Sequence, residues 1–208
     1  MTNNKKGGNY MARPVDKKNR EENKAKIMEA ARGVFCKKGF NNVTMTDLLK
    51  AANISRGGFY FYYKSVDEVF RDTVQHRKKS NFEEIRKAIA HNPDFFELLD
   101  DYFQKQKSRL LNMENSLIRA LYEYLFTHTE ESDAGFRNEQ RSNILETVNA
   151  ILQLGVQQNA ISSNNIVQKA EHFMYTIEGL NAMSLFQGLT TEIIEQQFEL
   201  LKNILKKV

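Results

Sequence analysis

The stretch Ile54–Lys64, ISRGGFYFYYK, sets two adjacent glycines against five consecutive aromatic residues. Gly57 and Gly58 should each cost a helix about 1 kcal/mol relative to alanine, whereas Phe59–Tyr63 has the composition of a strand. Two readings reconcile these residues: a hairpin turn followed by a strand, or a helix tip whose backbone is approached closely by another molecule. A strand needs a neighbour for its backbone groups. Upstream, TMTDLLKAANIS lacks two-residue alternation; downstream, SVDEVFRDTVQHRKKSNFEEIRKAIA has helical spacing after Ser65. The helical reading therefore carries the better case.

Working outward, Thr44 precedes an apolar set, Leu48, Leu49 and Ala52, with Asp47 three residues on, close to a capping box but with the shorter acid. Asn53 tolerates the left-handed conformation that a tight turn requires, and Ser55 can cap a following helix. The spacing predicts helix, short turn, helix over 44–63. In front of it, Ile27, Ala30, Ala31, Val34 and Phe35 recur at helical spacing up to Gly39, a natural stop. Cys36, the single cysteine, is expected to be a small buried hydrophobe.

Charge singles out the same region. Residues 1–80 hold 18 Lys and Arg against 8 Asp and Glu, and the remainder 12 against 18. One end is suited to meet a polyanion. Residues 1–20, rich in Lys, Asn and Gly, read as a disordered basic arm; 21–66 as a helix-turn-helix domain; 67–208 as a larger helical domain with 67–80 as connector. The expected class is all-α. The chain is expected to be cytoplasmic, with no secretory signal and no apolar run long enough for a membrane. The histidines at 76, 91, 128 and 172 are dispersed and lack metal-ligand spacing, and there is no phosphate loop or nucleophile–base motif. Neither an enzyme activity, a metal nor a cofactor is expected.

A helix-turn-helix places the N-terminal residues of its second helix at base edges in the major groove. Candidate DNA-contacting residues are Thr44, Thr46, Ser55, Arg56, Gly57, Gly58, Tyr60, Phe61, Tyr62 and Lys64. Arg56 is the tip residue able to pair bidentately with guanine. The glycines would let the backbone approach phosphates. Tyr60 and Tyr62 carry hydroxyls suited to phosphate oxygens. Phe59 and Tyr63 should turn inward toward Val34 and Phe35.

VTMTDLLKAANISRGGFYFYYKSVDEVF, after IMEAARGVFCKKGF, resembles the DNA-binding domain of the tetracycline-repressor (TetR) family over roughly residues 24–70. Asn53, Leu49, Gly58 and Val66 depart from the family's commoner Gly, Ala, Thr and Lys, which shifts weight onto Arg56, Thr44, Tyr60 and Lys64. The resemblance implies a homodimeric transcription regulator on a pseudo-palindromic operator, usually a repressor released by a small ligand; the alternative is a DNA-binding dimer without a small-molecule sensor, controlled by a partner or acting as an activator. It also implies pairing of the last two helices with their symmetry mates. Gly179, Leu180, Ser184, Ile194, Phe198, Leu201 and Leu205 are the expected interface residues. An aromatic and Met-rich set, Tyr102, Leu121, Tyr122, Phe126, Met174 and Ile177 with Glu178, is the expected lining for a hydrophobic effector.

Overall fold

The computed structural model describes residues 17–186 and 188–206. Their helices are α1 (Lys17–Lys38), α2 (Met45–Ala52), α3 (Arg56–Tyr60), α4 (Val66–Ala90), α5 (Phe95–Leu111), α6 (Leu117–Thr127), α7 (Ala134–Gln157), α8 (Ile166–Leu185) and α9 (Thr191–Asn203), and no strand occurs among the described residues. The all-α expectation and the rejection of a hairpin at Phe59–Tyr63 both hold.

Most of the expected basic arm, residues 1–16, lies outside the described residues; 17–20 instead form the first turn of α1. No glycine or proline interrupts the chain between Pro14 and Gly33, so the helix extends upstream of its apolar face. Gly39 then ends it at φ 74°, a conformation glycine adopts without a Cβ penalty. Asparagine does the same work elsewhere: Asn53, Asn92, Asn159 and Asn165 all take positive φ between helices.

The caps are local and follow the sequence. Thr44 and Asp47 close a full capping box despite the shorter acid. Ser55 accepts from the Gly58 N–H, Ser65 from Glu68, and Asp94 from Phe96 and Glu97. The expected connector 67–80 is only the first part of α4, which runs on to Ala90 because nothing between Ser65 and Asn92 breaks it.

Two cores result. One gathers Ile27, Ala31 and Phe35 of α1, Leu48 of α2, Phe59 and Tyr63, and Val69, Phe70 and Val74 of α4. It also takes Ala120, Leu121 and Tyr124 of α6, so the helix-turn-helix domain is completed by a helix from the other domain. The second core joins α5, α7, α8 and α9 and includes Ile85 of α4. One continuous helix therefore carries side chains into both cores.

Candidate nucleic-acid interface

The aromatic run divides by face. Phe59 and Tyr63 are fully buried, and Phe59 packs in the same core as Phe35. Tyr60 and Phe61 point outward at 41% and 57% exposure, with Tyr62 between. Burial of two aromatics fixes the short α3 and the turn after it, which a five-residue helix could not achieve by propensity alone.

The exposed face of this anchored segment carries Thr44, Thr46, Ser55, Arg56, Gly57, Tyr60, Phe61 and Lys64. Arg56 lies over the Tyr60 ring at 5.7 Å, and Arg20 of α1 over Phe61 at 5.1 Å. Such contacts orient guanidinium groups without neutralising them. Arg20 was not among the sequence candidates; its partner Phe61 is 41 residues away, and only folding brings them together.

The two glycines differ. A Cβ at Gly57 would meet nothing within 4 Å, so its backbone faces open space. At Gly58 it would come within 3.1 Å of Ile54 Cγ1 and 3.2 Å of Ser55 Oγ. Gly58 is thus explained in part by crowding inside the turn, whereas Gly57 has open space beside its backbone. Thr44 is also more constrained than expected, because its hydroxyl donates to Asp47 Oδ2 at 2.8 Å within the cap. Asp47 is held far below the usual carboxylate range, first by Lys38 at 2.6 Å and then by the Thr44 bonds.

The segment is braced from the larger domain. Glu123 of α6 accepts from the Phe40 N–H at 2.7 Å and the Asn41 N–H at 3.1 Å, in the loop between α1 and α2. Arg71 of α4 donates to the Tyr124 hydroxyl at 2.5 Å and pairs with Asp133. His128 contacts Asp67 at 2.8 Å and stacks on Tyr124.

The expected effector lining is only partly assembled. Tyr102, Met174 and Ile177 are buried, and the Tyr122 hydroxyl donates to Glu178 Oε2 at 2.5 Å. Phe126, however, is 74% exposed, and Leu121 packs into the helix-turn-helix core. Both lie on α6, one of whose faces serves the other domain, so a single apolar stripe could not reveal which core each residue enters.

The expected dimer residues need a larger correction. Leu180, Ile194, Phe198, Leu201 and Leu205 are buried within this chain, and Phe198 stacks on Phe103 of α5 at 4.4 Å. Ser184 donates to the Leu110 carbonyl at 2.5 Å, leaving Gly179 as the exposed member of the set. The chain's own core takes the more apolar stripe of each helix. A second, outward stripe consists of Tyr175, Gly179 and Met183 on α8 with Phe186 at its C-cap, and Ile193 and Leu200 on α9 with Ile204 at its C-cap.

With this geometry in place, residues 27–73 match the family described as bacterial regulatory proteins, tetR family. The chain is 30% identical over 136 residues to an uncharacterized HTH-type transcriptional regulator, YfiR, of Bacillus subtilis; the match covers 65% of this chain and 62% of that protein's length. It is 33% identical over 52 residues to the biofilm operon icaADBC HTH-type negative transcriptional regulator IcaR of Staphylococcus epidermidis, covering 25% of this chain and 28% of that one. The structure of E. coli NemR in its reduced form superimposes with a TM-score of 0.74 at 15% identity, over 90% of this chain and all of the other. Among the described residues no helix is long and apolar enough to cross a membrane. A helix-turn-helix anchored by Phe59 and Tyr63, set on an all-helical body, is the part of the chain that is similar to the tetR family of bacterial regulatory proteins, over residues 27–73.

Proposed function

We propose that this protein is a sequence-specific DNA-binding transcriptional repressor that acts as a homodimer and releases its operator when an amphipathic small molecule binds the larger domain. The observation that carries the DNA-binding reading is the split of the aromatic run: Phe59 and Tyr63 buried, Arg56, Gly57, Tyr60 and Phe61 presented outward. Repression is the role named for IcaR, which is 33% identical to this chain over 52 residues. The large apolar side chains exposed on and beside α8 and α9 support dimerisation, since exposed apolar patches mark interaction surfaces. A twofold dimer would present its two recognition segments to half-sites about one helical turn apart.

The test is selection of binding sites from random duplex DNA, followed by fluorescence anisotropy on the selected site. Arg56→Ala should cost roughly 1–3 kcal/mol and relax preference at one base pair, while Lys64→Ala should weaken all sequences alike and lower the salt slope. Intact sequence preference in Arg56→Ala would remove Arg56 from the readout.

A further inference from the structure

One face of α1 changes character along its length. Met28, Ala31 and Phe35 are buried in the helix-turn-helix core. One and two turns nearer the N-terminus the same face carries Lys24 and Arg20, four residues apart and so neighbours on the helix surface. Residues 17–26 contain no large apolar side chain, and hydrophobic burial does not hold them to the segment that follows α3. Two rings do. The Lys24 ammonium sits over Tyr63 at 5.3 Å, and the Arg20 guanidinium sits over Phe61 at 5.1 Å.

The two cations differ in what is left for another molecule. Lys24 pairs with Asp72 of α4, so its charge is neutralised within the protein. Arg20 is exposed, and among the described residues no carboxylate pairs with it. Glu21 and Glu22, next to it in the chain, lie on other sides of the helix. A guanidinium held over a ring keeps its N–H donors in a fixed fork, the arrangement that suits a phosphate. Phe61 is the C-cap of α3 and Arg56 its first residue, so the short helix carries a guanidinium over a ring at each end: Arg56 over Tyr60, and Arg20, from another helix, over Phe61.

We propose that Arg20 is a further DNA-contacting residue, which binds a backbone phosphate beside the base pairs met by α3, and that Phe61 is the platform that positions it rather than a group that reads bases. This rests on the DNA-binding reading above. Such a contact carries no sequence information; it fixes the register in which Arg56 meets its base.

The test uses the full chain, with anisotropy on the selected duplex and on a scrambled duplex of equal length, from about 50 to about 200 mM salt. Arg20→Met leaves a side chain able to cover the ring but removes the charge. It should weaken both duplexes by a similar factor, roughly three- to tenfold at about 100 mM salt, and lower the salt slope by about 0.9 for each protomer bound. Arg20→Lys should restore the slope but only part of the affinity, because it lacks the planar fork. Phe61→Leu should weaken both duplexes and have no further effect once Arg20→Met is present. Both side chains are exposed and lie outside the two cores, so these variants keep the fold. Unchanged affinity and slope in Arg20→Met, a loss confined to the selected duplex in Phe61→Leu, or independent effects of the two substitutions would overturn the proposal. If the unsubstituted chain selects no site, the DNA-binding reading falls with it; intact binding that is indifferent to Arg20→Met removes this assignment alone.

Discussion

At Gly57 the chain gives up helix stability for open space. Its position is helical and a Cβ would meet nothing, so Gly57→Ala should raise stability by about 0.5–1 kcal/mol in a thermal melt. The same methyl would occupy the room left for a phosphate, so anisotropy should show weaker DNA binding from a more stable protein. Gly58→Ala should gain less stability, because Ile54 and Ser55 must yield to it. Lys78 offers a prediction of a different kind. Its folded pKa near 8 lies below the ordinary 10.5, so between those values the unfolded chain holds a proton that the folded chain has released. Stability should therefore gain a rising component with pH across that window, and this component should vanish in Lys78→Met when urea midpoints are compared at pH 7.5 and 10. The division of Phe59 and Tyr63 from Tyr60 and Phe61 was legible in the sequence, since spacing along one short segment sets it. The bonds from the Phe40 and Asn41 amides to Glu123 were not, because a polar residue on an apolar stripe does not announce what faces it across the bundle.

Among the elements, α6 has the most consequential position. Its Glu123 carboxylate accepts from two backbone N–H groups of the α1–α2 loop, and its Tyr124 side chain enters the helix-turn-helix core. A helix so placed is in contact with the segment that holds α2 and α3, so a shift in it would be felt there under the proposed release of DNA. Glu123→Ala should cost about 1–2 kcal/mol, as the Phe40 and Asn41 amides exchange a charged acceptor for water. Hydrogen exchange at those two amides should accelerate while α9 is unaffected. Equal protection in the variant would show that the carboxylate is not what holds the loop. The helix caps were readable in advance because a cap is a bond between residues two or three apart. The extent of α4 was harder to place, since Ile85 belongs to a core built by helices far along the chain.

For the whole molecule, the outward stripe of α8 and α9 predicts the assembly. Leu200→Glu combined with Tyr175→Glu should convert a dimer to a folded monomer in sedimentation velocity, with helicity retained, because both side chains are more than half exposed. Leu201→Ala, one residue away but buried against the chain's own core, should instead lower stability by about 2–5 kcal/mol. A dimer that withstands the double charge substitution would place the interface elsewhere. The sequence by itself determined the all-helical class, the helix-turn-helix, its caps and the face it presents, because each depends on residues close enough in the chain to interact directly. Only the tertiary structure decided which of two apolar stripes on α8 and α9 is core and which is surface, and which domain α6 completes. Those outcomes depend on the packing of helices distant in sequence, where the same apolar spacing serves equally well for a core, an interface or a ligand wall.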